Sequence, residues 1–79
     1  MDINGCKPLF GHQVVASTNL TPPKAFLGTL EPIAGSTSTV KLLRVSDDVA
    51  SKYEFAINGV DAIDVGIITF LQDIATPHD

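Results

Sequence analysis

The chain is expected to be all-β: a small antiparallel β-sandwich or barrel of roughly five to six strands, with an Asn58-Gly59 hairpin and an extended N-terminal arm over residues 1–11. Three observations predict this. Asn58-Gly59 sits between the apolar runs YEFAI and VDAI, and Asn-Gly favours a type I′ turn because both central residues need positive φ. Short segments rich in Val, Ile, Thr and Phe recur, each bounded by Gly, Pro, Asn or Ser/Thr clusters. The last element, from Asp64 on, carries Gly66 and a β-branched run that favour strand over helix.

Taken in order, residues Met1 to Gly11 read as the arm. Asn4-Gly5 and Gly11 mark turns, and Pro8 is incompatible with a central strand or a helix interior. Leu9 and Phe10 are adjacent apolar residues, so at least one is expected to pack against a core, and the segment as a whole reads either as a flexible tail or as an arm reaching a neighbouring subunit. The segment HQVVAST, from His12 to Thr18, is a first strand with Val14 and Ala16 on one face and Val15 on the other. NLTPPK is a loop stiffened by Pro22-Pro23, each lacking a backbone donor. AFLGTLE, from Ala25 to Glu31, is a second strand. Phe26 and Leu30 share a face, Leu27 takes the other, and Gly28 marks a bulge or a close neighbour. After Pro32 the link AGSTST leads to a third strand, TVKLLRVS, from Thr39 to Ser46.

Ser46 to Lys52 fits one helical turn, with Ser46 as N-cap and Asp47-Asp48 where the helix dipole favours negative charge. The hairpin follows. A two-residue Asn58-Gly59 loop sets Ile57 opposite Val60, Phe55 opposite Ala62 and Tyr53 opposite Asp64, so Tyr53, Phe55, Ile57, Val60 and Ala62 are expected to form one apolar core face. The other face carries Glu54, Ala56, Asp61 and Ile63 and is expected to meet solvent. The alternation breaks at Asp64-Val65-Gly66, which predicts a bulge or short turn, then a strand to about Leu71 buried on both faces. Ile67, Leu71 and Ile74 also fit helical spacing. Gly66 and the β-branched run Val65, Ile67, Ile68, Thr69 favour the strand.

Composition narrows the function classes. A single domain of 79 residues has a thin core, since a chain of this size buries only about 60% of its unfolded surface. Cys6 is the sole cysteine, so there is no intrachain disulfide, and it is expected as a small buried hydrophobe. The net charge of −4 and the scattered Lys7, Lys24, Lys41, Arg44 and Lys52 argue against nucleic acid as a partner. Lys41 and Arg44 are near neighbours, but on a strand they point to opposite faces. No stretch approaches the ~20 apolar residues of a membrane span. The N-terminus lacks the charged start and apolar core of a signal peptide, so a product made in the cytoplasm is expected, with incorporation into a virion as one destination.

Chemistry-bearing constellations are sparse. Cys6, His12 and His78 are the whole supply of soft zinc ligands, too few to close a site without a carboxylate or another chain. The glycines at 5, 11, 28, 35, 59 and 66 are isolated and form no phosphate-cradling loop. No nucleophile motif accompanies either histidine. The expectation is a non-catalytic protein, without cofactor or metal. It would be a structural assembly component, such as a capsid decoration or minor virion protein, that packs against other chains, copies of itself or a larger assembly. The alternative is a small free binding module or inhibitor with one partner protein. The residues expected at the interface are Ile3, Lys7, Leu9 and Phe10 of the arm, Pro22 and Pro23 of the loop, and Pro77 near the C-terminus.

Overall fold

The computed structural model describes residues 1–74, and the fold is all-β as expected. The strands are β1 (Gln13–Thr18), β2 (Ala25–Pro32), β3 (Thr39–Leu43), β4 (Ala56–Asn58), β5 (Val60–Asp64) and β6 (Ile68–Asp73). Two short helices, α1 (Ile3–Cys6) and α2 (Asp47–Ala50), are each followed by a 3₁₀ turn, Lys7–Leu9 and Ser51–Tyr53. A third 3₁₀ turn, Val65–Ile67, links β5 to β6.

All six strands belong to one sheet, in the order β5-β3-β2-β1-β6, with β4 lying beside β2 off that path. Four of the pairings are antiparallel, whereas β4 runs parallel to β2. The edge of β2 away from β1 is shared: Ala25–Leu27 pair with β4, and Thr29–Pro32 pair with β3. Gly28 sits at the changeover. A Cβ there would lie 2.6 Å from the Leu43 carbonyl oxygen and 2.7 Å from Leu42 Cβ, so the close neighbour expected at this glycine is the departing β3 backbone.

The sheet is rolled. Flat, its outermost strands β5 and β6 would stand about 19 Å apart at the usual strand spacing. Only the turn Val65–Ile67 connects them, and a chain of that length spans at most about 14 Å. The turn also bridges opposite corners: the Val65 amide donates to the Ser38 carbonyl, and the Asn19 amide donates to the Ile67 carbonyl. Curling with strand stagger satisfies both constraints and gives a partly closed barrel, since β5 and β6 do not pair with each other among the described residues.

Strand alternation fills the two faces as predicted for β1 and β2. Val14 and Ala16 point inward with Leu30, Val40, Leu42, Ile63, Val65, Ile68 and Cys6. Val15 and Leu27 point outward, where Val45 and the half-buried Val49, Ala50 and Tyr53 cover them. The α2 turn is capped as expected, with Ser46 Oγ accepting from the Val49 amide and Asp47 and Asp48 in the first turn. Asp64-Val65-Gly66 is the anticipated short turn, and Asp64 Oδ1 accepts from the Gly66 amide at 2.8 Å. The last element is a strand rather than a helix. Its pairing with β1 shifts register near Thr18, so that Ile68 and Leu71, three apart, both pack toward the inner core. Phe70 then faces outward and is 59% exposed, so β6 is not buried on both faces.

Three expectations are corrected. The Asn58-Gly59 hairpin does not form: β4 pairs with β2 and β5 pairs with β3, so the dipeptide joins two strands that lie on different partners. The apolar face assigned to it dissolves accordingly. Phe55 is 71% and Ile57 48% exposed, Ala62 is exposed, and Ile63, expected at the solvent face, is 5% exposed. The shift in the β3–β5 register between Val40 and Leu42 sets three steps of β5 against two of β3, which moves Ile63 inward. The N-terminal segment is not extended either. It coils into α1 and a 3₁₀ turn, capped by Asp2 accepting from the Gly5 amide, and buries Cys6 completely.

Candidate protein interface

Asn58 and Gly59 help to line a surface hollow. Gly59 has φ +88°, and a Cβ on it would stand 2.6 Å from Arg44 Cγ, so both its conformation and its neighbour exclude a side chain. Its amide donates to the Leu27 carbonyl at 2.7 Å, which ends the β4–β2 pairing. The Asn58 side chain turns toward the segment leaving β3: Oδ1 accepts from the Val45 amide at 2.9 Å and Nδ2 donates to the Val45 carbonyl at 3.1 Å. One primary amide thereby satisfies both main-chain groups of a buried residue that has no strand partner.

Residues 41–44 and 58–61, side by side where Leu42 pairs with Val60, form the two walls of an open groove of about 460 Å³. Lys41, Leu43 and Arg44 line one wall, and Gly59, Val60 and Asp61 the other. Lys41 and Arg44 thus line one hollow rather than opposite faces, because β3 ends at Leu43 and the alternation stops before Arg44. Arg44 Nη1 donates to the Asn58 carbonyl at 3.4 Å. Among the described residues the single contact between a basic side chain and a carboxylate is His12–Asp73, so Lys41, Arg44 and Asp61 enter no salt bridge there.

Apolar surface surrounds this groove. Leu43, in one wall, is 48% exposed, and Ile57, next to Asn58, is equally open. Phe55 projects farther and touches the chain through an edge-to-face contact with Tyr53, ring centroids 6.3 Å apart. Scattered exposed apolar residues are ordinary, but Ile57 lies on the shortest strand, whose pairing among the described residues is to β2 alone, and Phe55 is in the turn that leads directly into it.

The residues expected at an interface are distributed differently. Ile3, Leu9 and Phe10 come together, but as half-buried side chains packed on the inner core. Lys7 is exposed in the 3₁₀ turn between them. Pro22 and Pro23 are exposed in the β1–β2 loop, with a cis bond at Thr21-Pro22. Pro77 lies outside the described residues, as does His78. Leu43, Phe55 and Ile57 carried no interface signal in the sequence, because aromatic and β-branched residues in strands read as core. Charge spacing around Lys41 and Arg44 was the nearest available clue.

Burial pushes the Cys6 thiol up, with Asp2 adding to the effect and the N-terminal ammonium opposing it. The thiol is shielded from solvent and rests 3.8 Å from the Met1 sulfur. Among the described residues no three His, Cys, Asp or Glu side chains cluster closely enough to hold a metal ion. No described helix is long and apolar enough to cross a membrane. The chain matches no protein-family model, no curated protein and no solved structure.

Proposed function

We propose that this protein is a non-catalytic assembly component that packs against other protein chains, first of all copies of itself, through the β4 edge and the adjoining groove. The observation that carries the reading is the exposure of Ile57 on a three-residue strand and of Phe55 in the turn just before it, next to a groove lined by Leu43, Lys41 and Arg44. A short parallel edge strand gains from an added neighbour, because its outward main-chain groups and the exposed Phe55 just before it are covered in one step. The reading extends to a subunit that coats a repeated shell, such as a capsid. A low charged fraction of 18% serves the same end, since fewer ions need desolvation on contact.

Sedimentation velocity over a concentration series tests the proposal. The expected result is reversible association that disappears in the double variant Phe55→Ser/Ile57→Ser while its unfolding free energy in urea stays within about 0.5 kcal/mol of the parent, as exposed substitutions do. A wild-type chain that stays monomeric at every concentration overturns it.

A further inference from the structure

We propose that Asn58 is a self-modification site: the Asn58-Gly59 pair converts to aspartate or isoaspartate, and the β-sheet gates the reaction. The chemistry is intrinsic to Asn-Gly, because glycine offers an unhindered amide nitrogen to the preceding side-chain carbonyl. The deprotonated Gly59 nitrogen attacks Asn58 Cγ and a C–N bond forms. The Cγ–Nδ2 bond breaks, and nitrogen leaves as ammonia after taking up a proton. Water then adds across one of the two imide carbonyls of the resulting succinimide, so the ring opens to aspartate or isoaspartate. Water is the one co-reactant, and no oxidation occurs.

Folding engages both reacting groups elsewhere. The Gly59 N–H donates to Leu27 at 2.7 Å, so the nucleophile is protonated and held in the sheet. The Asn58 amide is bound at both ends by Val45, at 2.9 and 3.1 Å, so its carbonyl carbon is not free to swing toward Gly59. Attack needs β4 to leave β2 and the Val45 clamp to open together. The second Asn-Gly pair, Asn4-Gly5, is held differently: Asn4 is exposed, in a four-residue helix near the chain start. Such short elements open at low cost.

The product does not restore the gate. A carboxylate at position 58 still accepts from the Val45 amide but has no hydrogen for the Val45 carbonyl, and it sets a negative charge against that oxygen. Isoaspartate adds a backbone atom between β4 and Gly59 and breaks the register with Leu27. Each opening event that reacts therefore leaves β4 loosened. The proposal is argued from the hydrogen bonds of Asn58 and Gly59 and does not rest on the assembly reading.

The test ages dilute protein in mildly alkaline buffer, folded or in urea, and follows both Asn-Gly peptides by mass spectrometric mapping. Conversion at Asn58 is expected to be at least about tenfold slower in the folded chain than in urea, and slower than at Asn4 in the same folded sample. Equal folded and unfolded rates at Asn58 overturn the gate. As a second measurement, Asn58→Asp is expected to speed hydrogen exchange of the Gly59 amide about tenfold or more. Unchanged exchange overturns the claim that the product stays open. Should that variant fail to fold, exchange of the aged wild-type protein gives the same reading.

Discussion

Replacing Gly28 with alanine tests the central claim about how the sheet is built. At most positions in a strand this change is favourable, because alanine loses less backbone freedom on folding, and it stabilises by roughly 0.5–1 kcal/mol. At Gly28 the new methyl would stand 2.6 Å from the Leu43 carbonyl oxygen, 2.7 Å from Leu42 Cβ and 3.0 Å from the Leu42 carbonyl carbon. Two of these are main-chain atoms and cannot rotate away. Either β3 moves off β2 or the changeover to β4 is disrupted, and overpacking of this kind costs about 1–3 kcal/mol. The sign is therefore reversed relative to the propensity argument. A chain of this length has a total stability of about 4–12 kcal/mol. With a urea slope of about 1 kcal/mol/M for a small domain, the midpoint falls by roughly 1–3 M. Urea unfolding followed by far-UV circular dichroism at fixed slope measures it. Gly35→Ala is the contrasting control: its Cβ meets nothing within 4 Å, but φ is +81°, so its cost is conformational alone. A Gly28→Ala chain as stable as the parent, or more so, would refute the shared-edge arrangement of β3 and β4.

Other consequences are smaller but equally direct. Asp64→Ala removes the carboxylate that accepts from the Gly66 amide and should cost about 0.5–2 kcal/mol in the same assay, with Asp64→Asn recovering most of it. The buried Cys6 thiol should resist alkylation until the chain unfolds, at a rate tracked by thiol titration in increasing urea. Its raised pKa means that, above the ordinary value of 9.0, the unfolded chain loses the thiol proton before the folded chain does. Stability should thus fall as pH rises through that range, and Cys6→Ala should remove this component of the slope. Leu43→Ser should weaken self-association with little effect on the urea midpoint, since the residue is about half exposed on the groove wall.

The site was less legible than the fold. Phe55 and Ile57 read as core because an Asn-Gly hairpin placed them opposite Ala62 and Val60 on one face. The physical demand behind the dipeptide was identified correctly at Gly59, which has positive φ. That demand is met equally by a crossing between strands on separate partners, and nothing local distinguishes the two. Lys41 and Arg44 were set on opposite faces by strand alternation, which holds only while the strand lasts, and β3 stops at Leu43. Ile3, Leu9 and Phe10 were rightly noticed as apolar residues needing cover, but their cover is the chain's own core.

Short-range physics was sufficient for the all-β class, the inward and outward residues of β1 and β2, the Ser46 cap and the Asp64 turn, because each depends on neighbours within a few residues. Only tertiary structure decided the rest. Whether Asn58 turns a hairpin or clamps Val45 depends on where β2 presents a free edge, and that depends on β3 leaving at Gly28. Whether the N-terminal residues extend or coil depends on a cavity for Cys6 that exists only once the sheet has rolled. These are contacts between residues distant in sequence, whose geometry no local pattern encodes.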